Sequence, residues 1–185
     1  TLAHNASGHP FTLHHIARHV QAMGAATTLE FFQGGLVEIT EYFKTSLEQR
    51  LSEQEFDALQ SLAILNRETS LDGLCQVAQT DSITVKRLHE EGLLLINDTG
   101  KFWLHNIVRT SLRAKGRVAE KQAHQRAVSF YRSQKAPTNR QSIDAYANVL
   151  EWHHHASEAG DAISSYEALF KSGLEQQLTK WNEYQ

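Results

Sequence analysis

Apolar positions recur mostly at helical spacing, with one short interruption. Leu13, Ile16, Ala17 and Val20 fall at i, i+3, i+4 and i+7, a single helical face opened by Pro10. Thr27-Thr28 can open a short helix that stops at Gly34-Gly35, and a further helix is predicted over about 36–51. Ser52-Glu53-Gln54-Glu55 reads as a capping box, in which a serine hydroxyl and a glutamate three residues later satisfy each other's backbone amides. The helix it opens turns Phe56, Leu59 and Ala63 inward, and 66–69 reads as a turn. Ser70 caps a second helix carrying Leu71, Leu74, Cys75 and Ala78; Ser82 caps a third with Val85 and Leu88 inward, stopped by Gly92.

The period then changes. Residues 93–97 form an apolar run of strand length, Asp98-Thr99-Gly100 is a turn signal, and 101–105, with Phe102 and Trp103, is a second strand. Three helices followed by a hairpin is the order of a winged helix-turn-helix domain. From Asn106 onward the pattern is helical again. Ala123, Ala127, Phe130 and Tyr131 share one face, Pro137 breaks the pattern, and helices are expected near 141–158, near 162–171, and from Gly173 through Trp181 and Tyr184. Helix pairs separated by short glycine breaks resemble a tetratricopeptide-type solenoid. The expected fold is therefore mainly α with one β-hairpin.

Composition changes this picture little. The 185 residues are 41% hydrophobic and 21% charged with a net charge of -3, so global charge draws the chain toward neither nucleic acid nor an anionic membrane. The single cysteine, Cys75, excludes a disulfide framework and a cysteine-based zinc site, and its place on an apolar helix face suits a small core residue. The lone thiol fits a reducing cytoplasm, which is the expected location; no apolar run is long enough to span a membrane and no signal peptide is visible. The start at Thr1 suggests a piece of something longer.

Two motifs bring a family into view. Gly8-His9-Pro10, followed by Phe11-Thr12-Leu13, resembles the Gly-x-Pro motif in the lid of STAND-class signalling ATPases, the group that includes NACHT and NB-ARC proteins. Leu104-His105-Asn106, followed by Ile107-Val108-Arg109, resembles the Met-His-Asp motif of that family's winged helix. Residues 47–65, 88–94, 124–131 and 152–161 fit the same layout. The resemblance implies three parts: residues 1–40 as the end of the helical lid, 41–113 as the winged helix, and 114–185 as the start of a helical repeat array. It further implies that Pro10 lies against the adenine ring and that His105 reaches the β-phosphate of ADP, holding a closed resting state. The cofactor of the parent protein would be ADP or ATP with Mg, with none expected for this piece alone.

Two departures qualify that. Asn106 stands where the family has Asp, keeping the capacity to cap a helix but losing the charge. No Gly-x-x-x-x-Gly-Lys-Ser/Thr loop occurs, so nothing here can cradle Mg-ATP for hydrolysis. The piece itself is not expected to be an enzyme, while the parent is expected to be an ATPase. The implied partners are the upstream nucleotide-binding domain of the same chain, a protein or other ligand on the array, and further copies on activation; neither DNA nor membrane is expected.

Other readings stay open. His105 can equally be a histidine that caps or packs at a strand end. His15 with His19, and the consecutive His153-His154-His155, suggest metal, but neighbouring helical residues point about 100° apart and cannot converge into a tetrahedron, so no metal ligands are assigned. A winged helix can read DNA, yet Lys86 and Arg87 on the third helix are balanced by Glu90 and Glu91. The basic run Arg109, Arg113, Lys115 and Arg117 is best read as a joint between domains. Trp152, Tyr166, Phe170 and Trp181 are expected to pack between helices. The alternatives to a switch component are a winged-helix transcription regulator and a plain helical interaction module.

Overall fold

The computed structural model describes residues 44–113, 118–134 and 142–183, together with Ala17, Val20, Gln21 and Gly24. It divides into two compact units, residues 1–51 and 52–185. In the first, Val20 and Gln21 are helical, Gly24 at φ 87° donates to the Val20 carbonyl at 2.9 Å, and residues 44–50 are helical. The expected helix after Pro10 and the short helix ending at Gly34-Gly35 fall largely or wholly outside the described residues.

The second unit opens with α1 (Glu53–Leu62), α2 (Leu71–Ala78) and α3 (Ser82–Glu90), then the strands β1 (Leu94–Ile96) and β2 (Phe102–Leu104). This is the winged helix-turn-helix order that the change of period predicts. The capping box is present: the Glu55 amide donates to Ser52 Oγ at 3.3 Å, and Glu55 Oε2 accepts from the Ser52 amide at 2.8 Å. Glu55 is also engaged by Arg87 of α3, with Nε 3.0 Å from Oε1. Ser52→Ala is therefore expected to cost about 1 kcal/mol, read as a lower urea midpoint with an unchanged slope. An unaltered midpoint would show the box to be idle.

The third helix is capped differently from expectation. Asp81, not Ser82, is the cap, its carboxylate accepting from the Thr84 amide at 2.8 Å. The strands pair antiparallel with Leu94 opposite Leu104 and Ile96 opposite Phe102. Asn97 folds the turn between them, its side-chain oxygen accepting from the amides of Thr99 and Lys101, each at 3.0 Å. The segment read as a turn at 66–69 does more than reverse the chain: Thr69 and Phe102 exchange both backbone hydrogen bonds at 2.8 Å, adding a single rung to the outer edge of β2. The core beneath these elements holds Leu59, Leu62, Leu74, Val77, Val85, Leu88, Leu93, Leu94, Phe102 and Leu104.

Beyond the wing come α4 (Asn106–Leu112), α5 (Val118–Ser133), a 3₁₀ turn (Ile143–Tyr146), α6 (Ala147–Ala159), α7 (Ala162–Lys171) and α8 (Leu174–Glu183). The 3₁₀ turn takes the place of the first turn of the helix expected near 141. The helix α5 packs on α1 and α2 as well as on α6, so array and winged helix share one compact unit. Arg126 ties them, donating from Nε to the Val77 carbonyl at 2.6 Å and from a terminal nitrogen to Ser61 Oγ at 3.1 Å. Gly160, at φ 74°, ends α6, and Asp161 caps α7 by accepting from the Ser164 amide at 2.9 Å. The α6–α7 pair is a helical hairpin of repeat type, bridged by Trp152 Nε1 donating to Ser164 Oγ at 2.8 Å.

The expected packing of aromatics holds for Trp152 but not for the next helix. Tyr166 (59% exposed) and Phe170 (45%) stack on each other at 4.2 Å and lie with Ile163 on an outward face of α7. Helical spacing places apolar residues on one face; it does not say that a neighbour covers that face. The side chain of Trp181 lies outside the described residues. No helix among the described residues is long and apolar enough to cross a membrane.

Candidate functional site

The sequence singles out the end of the wing, and the fold builds it from three sides. His89 of α3 donates from Nδ1 to the Leu94 carbonyl at 2.8 Å and packs edge-on against Phe102, fixing the wing to the third helix. The strand β2 then delivers Leu104 into the core, and His105 follows, half-buried. Its carbonyl accepts from the Arg109 amide at 3.0 Å, so His105 is the cap of α4 and Asn106 is its first residue. The capping position expected of Asn106 thus belongs to His105, because the helix begins one residue earlier. One turn on, the half-buried Arg109 reaches back toward the Leu104 carbonyl, 3.5 Å away. Burial lowers the Arg109 pKa, while the carboxylate of Glu151 opposes that shift. Pro10, the other residue expected at a nucleotide, lies outside the described residues.

Behind this end of the wing lies a buried polar cluster that sequence reasoning missed. His124 of α5 and His155 of α6 are both buried, and their Nδ1 atoms are 2.9 Å apart. One must donate and the other accept, so both rings cannot be cationic together. Glu151, one turn before His155, places Oε2 3.6 Å from His155 Nε2. Tyr131 stacks on His155, ring centroids 5.6 Å apart and planes 16° from parallel. Burial first, and then neighbouring histidines, push His155 down to about 3; burial brings His124 to about 4 and lowers His154 as well. Burial raises Tyr131 to about 12 and also raises Glu151, against the pull of Arg67 and Arg109. Among the described residues no group of His, Cys, Asp and Glu side chains is arranged to hold a metal. A signal for the cluster existed: His124 shares the face of Ala127 and Tyr131, and Glu151 precedes His155 by one turn.

The remaining candidates are weaker. Of the cations on α3, Arg87 is drawn to Glu55, which leaves Lys86 beside the exposed Ile83 as a poor surface for duplex phosphates. An open groove of about 500 Å³ runs between α1, the end of α2 and α5; Glu53, Asp57 and Glu120 line it together with Arg113 and Arg126, a mixed lining with no cluster of one charge. Cys75 is a free, half-buried thiol whose pKa is raised by burial, the opposite of an activated nucleophile.

No family model matches this chain, and no curated protein matches it. Among solved structures, the chain is similar to a signal transduction ATPase with numerous domains (STAND) that carries a tetratricopeptide repeat sensor, from Pyrococcus horikoshii. The likeness has a TM-score of 0.54 at 20% sequence identity and covers 82% of this chain and 25% of that one. In fold, this mainly helical chain, with one small sheet among the described residues, is thus similar to about a quarter of a protein of the class that its two motifs resemble.

Proposed function

We propose that this chain is the regulatory and sensor portion of a nucleotide-switched signalling ATPase, with no catalytic activity of its own. The observation that carries the reading is the position of His105. It follows the wing strand directly and caps the next helix, and it stands in a Leu-His-Asn motif within a fold similar to that of a STAND protein. A half-buried imidazole there can donate to a phosphate, and the adjoining helix start favours negative charge. The residues present suit one wall of a nucleotide site, not a whole site, since the sequence has no phosphate-cradling loop.

In this account the resting protein holds ADP between an upstream nucleotide-binding domain, Pro10 and His105. Exchange for ATP, with Mg, weakens the hold of His105 and frees the winged helix and array to move, a two-state balance that the nucleotide biases. Assembly with further copies would follow. The array is the sensor for a protein or other ligand, and the setting is the cytoplasm.

The test is the rate at which a fluorescent ADP analogue leaves the longer, nucleotide-binding protein. His105→Ala is expected to speed release about tenfold or more, the loss of one charge-assisted hydrogen bond. Unchanged release would remove His105 from the nucleotide site. Salt-sensitive binding of the chain to duplex DNA would favour the transcription-regulator reading instead.

A further inference from the structure

We propose that residues 67–69, between α1 and α2, form a coupling element that transmits the position of the first array helices to the wing strand that leads into His105. The segment is held from two sides. On the array side, Arg67 Nε lies 3.5 Å from Glu151 Oε1 of α6, and Thr69 Oγ1 lies 3.3 Å from the Tyr131 hydroxyl of α5. On the wing side, Thr69 exchanges two backbone hydrogen bonds with Phe102, three residues before His105.

The direction of each bond can be assigned. Thr69 Oγ1 has one proton and donates it to the Arg67 carbonyl at 3.1 Å. The Tyr131 hydroxyl must therefore donate to Thr69 Oγ1, which locks Tyr131 in one orientation. Tyr131 and Glu151 act together, because His155 stacks on the first and sits 3.6 Å from the carboxylate of the second. The helices α5 and α6 thus grip the segment through one connected set of side chains.

The geometry makes the grip sensitive to movement. A hydroxyl–hydroxyl contact already at 3.3 Å is lost after a further displacement of about half an ångström. Thr69 then keeps its bond to the Arg67 carbonyl and its single rung to β2, but that rung is no longer tied to α5. The 67–69 segment has no helix of its own to absorb the shift, so the displacement passes to Phe102 and along three residues to His105. A ligand that moves the array would reach the wing by this route. That consequence rests on the reading of His105 as facing nucleotide; the coupling itself does not.

The experiment is residue-resolved amide hydrogen exchange on this chain, without nucleotide. Tyr131→Phe and Glu151→Gln sit on the array side and keep the side-chain volume. Thr69→Val removes the same hydroxyl contact from the wing side, together with the bond to the Arg67 carbonyl. Each is expected to speed exchange at the amides of Thr69, Phe102 and Arg109 about three- to tenfold. The amide of Ser165, which donates to the carbonyl of the α7 cap Asp161, should be unaffected. The double variant Thr69→Val with Tyr131→Phe should exchange no faster than Thr69→Val alone. Unchanged exchange at the wing, or equal acceleration in α7, would overturn the proposal. If His105 proves not to face nucleotide, the exchange result still stands or falls by itself.

Discussion

Gly73→Val is expected to cost the fold about 3 kcal/mol or more. Gly73 is buried in α2, and a Cβ there would come within 2.4 Å of Phe130 Cζ, 2.6 Å of Thr69 Cγ2 and 2.8 Å of Phe130 Cε2. Real carbon atoms do not approach so closely, and neither neighbour has room to retreat: Phe130 and Thr69 are both buried. Even Gly73→Ala, which in an exposed helix would gain up to about 1 kcal/mol, should destabilise here. The contact joins the winged helix to the array, so the substitution should loosen α2 from α5 specifically. Phe130→Leu, which removes the ring tip, should restore part of the loss in the Gly73→Ala background. Urea unfolding reads all three; a Gly73→Ala chain as stable as the parent would contradict the close approach.

Mild acid should unfold the second unit. His124 and His155 have folded pKa values of about 4 and about 3, against an ordinary 6.5. Above the ordinary value both states hold neutral rings, and the full stability is present. As pH falls below it, the unfolded chain takes up protons that the folded chain refuses, so stability is lost until the folded values are reached. By pH 4.5 the pair should have cost on the order of 3–5 kcal/mol. Glu151 opposes this, since its raised pKa lets the folded state bind a proton earlier, and Glu55, whose pKa is lowered by Ser52, adds to the loss. His124→Asn keeps a polar atom near the Nδ1 position but cannot be protonated. It should flatten the fall in urea midpoint between pH 7.5 and 4.5; an equally steep fall would place the acid sensitivity elsewhere.

What could be read in the sequence followed from how local each cause is. The Ser52–Glu55 box spans four residues and was legible, as was the change of period that marks the hairpin. Asp81 and Ser82 are adjacent and both suit a cap; which one accepts from Thr84 is decided by backbone geometry that composition does not encode. The rung between Thr69 and Phe102 joins residues far apart in sequence and leaves no periodic trace. The outward face of Tyr166 and Phe170 has the same helical spacing as a covered one. The buried pair of His124 and His155 comes from two helices, so a triplet read along one helix could only be tested for metal and set aside. Pairing of side chains across elements is tertiary information. His105 is a different case: its interest comes from a resemblance, and the fold adds its place at the wing's end without assigning it a ligand.

As proposed, this chain serves a nucleotide switch. The most direct measurement is the nucleotide released on denaturing the longer protein after purification under native conditions. A stoichiometric amount of ADP is expected, reduced in a His105→Ala protein. Absence of nucleotide from both, with no binding of added ADP, would contradict it.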